Sequence, residues 1–281
     1  MTKFDGHTHS SISDGTDTPT ELVQAAAAAG LSGLALADHD TFAGWDEAIT
    51  AAQTHGLQLL PSVELSTSYR GSSAHLLAYL PDRYSPVLVG ALEQVRRSRR
   101  TRLERLVRNI SADYPHVTWE ELLASNPSLD VPLGRPHVAD LLVRHGIVAD
   151  RSAAFTRILS PRGPYYVAHW APHPAQMVQM VRAAGGVPVL AHPLSQHRQR
   201  PLPVEVVGEM VDAGLFGLER DHREHDAAAR HQVDAWARQF RIRVTGGSDY
   251  HGAGKPNRLG ENWTGIDVLE AIISEGVTAP A

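Results

Sequence analysis

The stretch KFDGHTHSSISDGT, residues 3–16, places two histidines and an aspartate where a short apolar strand ends. His7 and His9 are two residues apart, and alternate residues of a strand point to the same side. Two imidazoles on one side are a costly way to build a core, but an HxH pattern alone is also typical of exposed loops. The rest of the chain therefore decides whether these side chains form a site.

The composition is that of a globular protein in water. The 281 residues, 42% hydrophobic and 20% charged, predict one large α/β domain or a domain with an insertion. No apolar run is long enough to span a membrane, and no signal segment precedes Phe4. The absence of cysteine excludes disulfides and thiolate metal ligands, and it favours the cytoplasm. A net charge of −5 gives no general attraction to nucleic acid, so phosphate binding must be local.

Helix patterns and short apolar runs alternate in the first and last thirds of the chain. TPTELVQAAAAAG, with Thr18 or Thr20 near its start, predicts a helix and leads into the apolar run SGLALADHD. HPAQMVQMVRAAGG followed by VPVLAHP repeats this order later in the chain. Strands that alternate with helices predict a parallel sheet, either open or closed into a barrel.

The middle of the chain has a different pattern. Between about residues 85 and 166 we find four helix patterns, the longest being PVLVGALEQVRRSRRTRLERLVRNI, and no strand candidate. This predicts an all-helical insertion at 85–166 in a domain formed by 1–84 and 167–281. The many arginines of the long helix lie beside an apolar stripe, so we interpret them as its solvated face rather than as a guide for an anionic substrate.

Metal-ligand residue types follow or flank the strand candidates. In parallel α/β folds the carboxyl ends of the strands share one rim, so we expect these side chains to converge. The nine candidates are His7, His9, Asp14, His39, Glu64, His75, His192, Asp249 and His251. Imidazole and carboxylate ligands suit Zn²⁺, Mn²⁺ or Fe²⁺, and nine exceed what one tetrahedral ion needs. The sequence therefore predicts two or three divalent metal ions.

These motifs carry a family resemblance. DGHTHS, ADHD, VELS, AHLLAY, LAHP and GSDYH together resemble the PHP (polymerase and histidinol phosphatase) family of metal-dependent phosphoesterases. GRPHVADLLV and PYYV resemble a subgroup that includes nucleoside 3′,5′-bisphosphate phosphatases and 5′-to-3′ exoribonucleases acting on short RNA. The resemblance implies a distorted (β/α)7 barrel with three metals, most often manganese with zinc or iron as alternatives, and a helical insertion that covers the active site.

The resemblance also distributes the ligands. It implies three metal sites, of which His7, His9 and Asp249 hold the first, Glu64 bridges to a second that His75 and His192 also hold, and Asp14, His39 and His251 hold the third. The implied reaction is hydrolysis of a phosphate ester by in-line attack of a hydroxide that bridges the metals. Asp38 and Asp40 flank His39, and we predict that they orient imidazoles or help to move a proton.

Substrate contacts are predicted mainly in the insertion. Arg135 and His137 lie in the first turn of a helix pattern, where a guanidinium and a helix N-terminus together suit a second phosphate. Arg162 is a further candidate of this kind, and His225 is a candidate proton donor to the leaving group. The expected partner is a phosphorylated small molecule, such as an AMP-type nucleotide, or a short oligonucleotide. No membrane and no stable protein partner are predicted.

Other functions stay open at this point. A phosphatase of a small metabolite such as histidinol phosphate needs the same metals but has only one phosphate to hold. Hydrolysis of a C–N bond, as in related metal barrels, is a third reading, although three metals favour phosphoryl chemistry. A non-catalytic metal or nucleotide-binding module is the reading from a different class, and it would be expected to have lost ligands, whereas all nine candidate positions are filled.

Overall fold

A computed structural model describes residues 3–126, 133–160, 162–195 and 201–281. In these ranges seven strands form one sheet in chain order. The strands are β1 (Phe4–Thr8), β2 (Gly33–Leu36), β3 (Gln58–Tyr69), β4 (Ser72–Tyr79), β5 (Val187–Leu190), β6 (Gly217–Asp221) and β7 (Arg243–Gly246). β1, β2 and β5 are buried along their whole length, as expected for strands covered on both faces.

The sheet is mixed, which differs from the parallel sheet that the sequence predicts. β1, β2 and β3 pair in parallel, and so do β5, β6 and β7. β4 pairs antiparallel with both β3 and β5. The reason is a tight turn at Arg70 and Gly71, which have φ of 47° and 81° and join β3 to β4 as a hairpin. His75 therefore lies within an antiparallel strand rather than at the end of a parallel one.

The two ends of the sheet meet, so that it is nearly closed into a barrel. The segment after β7 pairs with β1 through a bridge between Thr8 and Tyr250, and Asp249 N donates to His7 O at 2.8 Å. The hydroxyl of Tyr79, on β4, crosses the interior and donates to Gly6 O at 2.8 Å. The predicted barrel is thus confirmed, with a hairpin in place of one parallel crossover.

Helices cover the barrel and form the middle of the chain. Those packed around the barrel are α1 (Pro19–Ala28), α2 (Trp45–His55), α7 (Pro174–Ala183), α8 (Val204–Asp212), α9 (Ala227–Phe240) and α10 (Ile266–Glu275). Between β4 and α7 the described residues contain no strand but four helices, α3 (Pro86–Ser111), α4 (Trp119–Ala124), α5 (Arg135–Arg144) and α6 (Arg151–Arg157). None of the helices described here is both long and apolar enough to cross a membrane.

The helical segment has its own apolar core. Buried side chains from α3 to α6, with Leu106 and Leu142 among them, pack together apart from the barrel cores. α3 belongs to both regions, because Leu88 and Leu92 pack in the barrel cluster that contains Met177 of α7. The first turns of the long helix therefore pack with the barrel, and its later turns pack with the helical segment.

Two arginines of α3 lie on its buried face and not on the solvated face that the sequence predicts. Buried positions follow spacings of four and three along this helix, through Leu88, Leu92 and Val95, and the next positions in this series are Arg99 and Arg102. Arg102 is only 6% exposed and the Arg99 side chain 11% exposed. The solvated-face interpretation holds for the remaining arginines, which are exposed or half-buried, but it is wrong for these two.

Candidate metal centre

All nine predicted ligands meet at the mouth of the barrel. Each belongs to at least one group of histidine and carboxylate side chains whose ligand atoms lie within 4.8 Å of one another. The groups are His9, Asp14, His39 and His251; His7, His9, Glu64 and Asp249; His39, Glu64 and His75; and His7, His192 and Glu219. Only His75 among them is not buried. Side chains from strands far apart in the chain thus form one connected centre.

Glu64, in the middle of β3, lies at the centre of this cluster. Its two carboxylate oxygens contact different sets of imidazoles. Oε1 lies 2.7 Å from Nδ1 of His75 and 3.0 Å from Nε2 of His192. Oε2 lies 3.2 Å from Nε2 of His9, 3.2 Å from Nδ1 of His39 and 3.4 Å from Nε2 of His7. A carboxylate with one oxygen in each set has the geometry of a bridge between two metal positions.

Asp249 contributes a single oxygen to the centre. Its Oδ1 lies 3.3 Å from Nε2 of His9 and 3.6 Å from Nε2 of His7. Its Oδ2 accepts a hydrogen bond from Lys255 at 2.7 Å and lies 3.5 Å from Nε2 of His222. Lys255 was not a predicted site residue, because it lies in a loop beyond the last motif. Lys255 and His222 approach Oδ2, so Oδ1 is the oxygen that faces the imidazoles of the centre.

Asp14, in the loop after β1, is the centre of the group that also contains His9, His39 and His251. Its Oδ1 lies 3.1 Å from Nε2 of His251, and its Oδ2 lies 3.7 Å from Nε2 of His39. Nδ1 of His251 bonds to the backbone oxygen of Asp249 at 2.8 Å, which fixes the proton on Nδ1. The lone pair of Nε2 therefore faces a carboxylate oxygen.

The donor set fits divalent metal ions. Nε2 of His251 and Nδ1 of His39 are buried without a hydrogen-bond partner, although each lies near a carboxylate oxygen. Lone pairs that face one another at such distances repel unless a cation lies between them. Buried carboxylates also need a compensating positive charge, because each unpaired ion costs several kcal/mol. The centre as a whole is suited to more than one ion, and these donors do not by themselves distinguish manganese from zinc or iron.

The pKa values of the site's imidazoles and carboxylates depend on burial and on the opposite charges around them. Burial alone would lower the pKa of His9, but hydrogen bonds to Asp249 and Glu64 raise it to about 9. Burial would raise the pKa of Glu64, but the surrounding imidazoles, those of His75 and His39 first, hold it well below its ordinary value. The carboxylates are therefore ionised and attract cations strongly.

Glu219, in the middle of β6, is a site residue that the sequence did not single out as a ligand. It is fully buried, its Oε1 accepts from Nδ1 of His7 at 3.0 Å, and its Oε2 accepts from the backbone N–H of His192 at 2.8 Å. With its proton on Nδ1, His7 presents the Nε2 lone pair to the centre. The available signal was that Glu219 directly follows the apolar run LFGL, residues 215–218, as other site residues follow theirs.

The two aspartates beside His39 are engaged in fixed hydrogen bonds. Asp38 accepts from Ser10 N at 2.8 Å, Ser10 Oγ at 2.7 Å and Ser13 Oγ at 2.6 Å, so it shapes the loop that carries Asp14. Asp40 is buried with φ of 52°, an uncommon backbone conformation for a residue other than glycine. These contacts suit an orienting part for Asp38 better than proton transfer.

Asp40 connects the centre to the helical segment. It accepts from Ser66 N and Ser66 Oγ, each at 2.8 Å, and from Nη1 of Arg99 at 2.5 Å. Ser66 lies two residues beyond Glu64 on β3, and Arg99 lies on α3. The Asp40–Arg99 ion pair therefore fixes α3 against the rim of the barrel. A second link runs from Nη1 of Arg151, on α6, to the backbone oxygen of Asp14 at 3.0 Å.

His225 is not placed as a proton donor. Its Nδ1 donates to the backbone oxygen of Arg220 at 2.8 Å, and its Nε2 accepts from Leu194 N at 3.2 Å. Both nitrogens are thus occupied by the backbone, and burial lowers its pKa. We therefore replace the predicted catalytic assignment with a structural one. His222, not His225, is the histidine of this loop that reaches Asp249.

The three predicted substrate contacts differ in burial and in the partners that they have in the structure. Nη1 of Arg135 donates to Leu159 O at 3.1 Å, and its guanidinium lies 5.3 Å from the ring centre of Phe155. His137 is buried, and its Nδ1 accepts from Gly134 N at 3.0 Å, which closes the first turn of α5. Arg162 is exposed at the surface. Arg135 and His137 are thus held by backbone contacts at the start of α5, and among the described residues no hydrogen bond or ion pair joins Arg162 to the metal centre.

Known proteins are similar to this chain in sequence and in fold. The PHP domain family profile matches residues 5–126. A 5′-3′ exoribonuclease of Haemophilus influenzae is 32% identical over 274 residues, 96% of this chain and 97% of that protein. A 3′,5′-nucleoside bisphosphate phosphatase of Chromobacterium violaceum is 31% identical over 260 residues, 92% and 90% of the two chains. A solved structure from Bifidobacterium adolescentis, described as a metal-dependent phosphoesterase, is 40% identical with a TM-score of 0.94, covering 98% and 97%.

The barrel, its buried centre and these relatives define a hydrolase that acts on phosphoester bonds. The chain belongs to the PHP domain family. The family, the fold and the class of reaction that the sequence predicts are thereby confirmed. The assignment of individual ligands, the metal and the substrate remain proposals.

Glu219→Ala tests the orienting part of Glu219. We expect Mn²⁺ to bind about 10–100-fold more weakly, because outer carboxylates that fix a ligating imidazole have effects of this size. A chelating-dye competition titration measures the affinity, with Glu209→Ala, on the exposed face of α8, as the control. Unchanged affinity in the Glu219 variant would contradict the assignment.

The variant Asp40→Asn distinguishes two possible roles of Asp40, which are to orient its neighbours and to transfer a proton. Loss of the charge on Asp40 removes its ion pair with Arg99, so we expect faster hydrogen exchange in α3 and a fall in kcat of no more than about ten-fold. General acid or base catalysis contributes roughly 10²–10⁴-fold. A fall in that range, with exchange in α3 unchanged, would instead assign Asp40 to the chemical step.

Proposed function

We propose that this protein removes a phosphate group from a nucleotide that carries a second phosphate, such as a nucleoside 3′,5′-bisphosphate, with short 5′-phosphorylated RNA as a further substrate. The observation that carries the proposal is that the arginine-bearing helices α3 and α6 are fixed to the rim of the metal centre, by Asp40–Arg99 and Arg151–Asp14. Arg151 also pairs with Asp140, which ties α5 to the same side. The names of two relatives, a bisphosphate phosphatase and an exoribonuclease, support the same substrate class.

The nine ligands would hold the metals in the arrangement that the family resemblance implies. The two oxygens of Glu64 support its proposed place between two metals. His75 and His192 lie near Oε1, and the other three histidines, His7, His9 and His39, lie near Oε2. When bound, such metals, for which we propose manganese, lower the pKa of a coordinated water and neutralise phosphoryl oxygens. No residue of the chain needs to form a covalent bond to phosphorus.

The chain's own residues have three tasks in this reaction. Glu219 and the backbone oxygen of Asp249 orient the imidazoles of His7 and His251, so that their Nε2 lone pairs face the centre. Lys255 neutralises the outer oxygen of Asp249 and offers an ammonium group near the phosphoryl oxygens. The helical segment brings guanidinium groups to the rim, where water competes less with an ionic substrate.

The small-metabolite alternative is weaker on this structure. Histidinol phosphate has a single phosphate, which the metal centre alone would bind. It gives no account of the guanidinium groups of Arg99 and Arg151, which α3 and α6 place at the rim of the centre. The cytoplasmic location predicted from the sequence stays a prediction.

A substrate panel tests the proposal. With the manganese-loaded protein we expect kcat/KM for adenosine 3′,5′-bisphosphate to exceed that for histidinol phosphate by roughly ten-fold or more, because a second charged group adds at least one good ion pair. Phosphate release is measured for both compounds, for AMP and for a short 5′-phosphorylated RNA, with a chelator-treated sample as the control. Equal or better turnover of histidinol phosphate would contradict the nucleotide assignment and leave the phosphoesterase class intact.

A further inference from the structure

Arg151, the first residue of α6, connects the helical segment to one part of the metal centre. Its Nε and Nη2 donate to the two carboxylate oxygens of Asp140, on α5, at 2.6 Å each. Its Nη1 donates to the backbone oxygen of Asp14 at 3.0 Å. The carboxylate of Asp14 belongs to one of the ligand groups of the centre, called here the Asp14 group: His9, Asp14, His39 and His251. A single guanidinium therefore joins two helices to the loop that carries a proposed metal ligand.

The loops after β1 and β7 close around the Asp14 group together. Thr16 N donates to His251 O at 3.2 Å, and Ala253 N donates to Thr16 Oγ1 at 2.8 Å. The hydroxyl of Tyr250 donates to Asp17 Oδ2 at 2.8 Å. The two loops therefore form one layer, and the hydrogen bond from α6 joins this layer to the helical segment.

The loop after β7 leaves space for this guanidinium at Gly254. A Cβ added to Gly254 would overlap Nη1 of Arg151. The Arg151 side chain is only 17% exposed, so most of it packs against protein. Its bidentate contact with one carboxylate fixes the plane of the guanidinium, which a lysine ammonium cannot reproduce. Burial and geometry thus both favour arginine at position 151.

An ion pair that only holds α5 against α6 would not need the contact with the barrel. The Asp140 side chain is 41% exposed, and exposed ion pairs contribute little to stability. The hydrogen bond to Asp14 O is the contact that such a pair leaves unexplained. Because the carbonyl and the carboxylate of Asp14 belong to one residue, fixing its backbone limits where its ligand oxygens can lie.

We propose that Arg151, oriented by Asp140, is a positioning residue for the Asp14 group, so that metal binding to this group and packing of the helical segment against the barrel favour each other. The inference rests on the metal centre of the proposed function, and it goes beyond that function because it holds for any phosphate ester. Coupling of this kind is reciprocal, since a metal that stabilises the packed segment is itself bound more tightly by it. Glu219 already orients His7 beside Glu64, so we expect the effect at one metal only.

The first experiment counts bound manganese. Metal-free Arg151→Met, Arg157→Met and the unaltered protein are titrated with Mn²⁺ alone, and bound metal is measured by equilibrium dialysis. For Arg151→Met we expect one ion to be held about 10–100-fold more weakly, the effect of losing an outer partner of a ligand, and the others to be unchanged. Arg157, exposed on the same helix, is the matched control, and its replacement should leave every ion as tightly bound.

The second experiment measures hydrogen exchange in α5 and α6 with and without Mn²⁺. In the unaltered protein we expect Mn²⁺ to slow exchange in both helices, and in Arg151→Met we expect this difference to be lost. An arginine that only stabilises the helices would give faster exchange by the same factor in both conditions, with unchanged manganese affinity, and that result would overturn the proposal. If Arg151→Met does not fold, Asp140→Asn takes its place, and a difference equal to that of the unaltered protein would overturn it too.

Gly254→Ala tests the same contact from the barrel side. This variant keeps Arg151 and Asp140, but its added Cβ displaces the guanidinium, so we expect the same ion to be weakened. Unchanged affinity of every ion in both Gly254→Ala and Arg151→Met would contradict the proposal. Failure of the proposed function is distinct, because it appears in the substrate panel, whereas these measurements contain no substrate.

Discussion

The structure depends on one buried carboxylate. Glu64 lies in the barrel mouth with 1% of its surface exposed, and its two oxygens contact five imidazoles. An ionised carboxylate is expensive to bury, and it is tolerated only where cations or N–H groups surround it. The barrel must therefore bring strands β1, β3, β4 and β5 together at one point, with the loops after β2 and β7 closing around it.

The same constraint explains the irregular parts of the barrel. Asp40, His192 and Asp249 all have positive φ, an uncommon conformation that turns the chain toward the centre at the ends of strands. The β3–β4 hairpin departs from a regular β/α repeat, and it places His75 opposite Ser66 and close to Glu64. The uncommon backbone conformations and the antiparallel strand are thus both found where the chain brings the ligands together.

Much of the centre could be predicted from sequence because its ligands are of unusual type for their positions. Histidines and carboxylates directly after apolar strands are costly unless they meet, so their convergence follows from the fold class. Within the charged run ERDHREHD the sequence pattern favoured His225, because nothing in the run sets Glu219 apart from its charged neighbours. The sequence interpretation placed Arg99 and Arg102 on the solvated face because they are charged and lie beside an apolar stripe, although the buried series through Val95 reaches both. His225 could not be judged, since backbone partners such as Arg220 O are not visible in a sequence.

The most direct test of the account is anomalous diffraction from crystals of the manganese-loaded protein, recorded at the manganese absorption edge. The account predicts more than one peak, each within coordination distance of the side chains around Glu64, with one peak near Oε1 and another near Oε2. A centre that holds no manganese, or a single peak that leaves one oxygen of Glu64 without a metal, would contradict the claim that this carboxylate is a bridge.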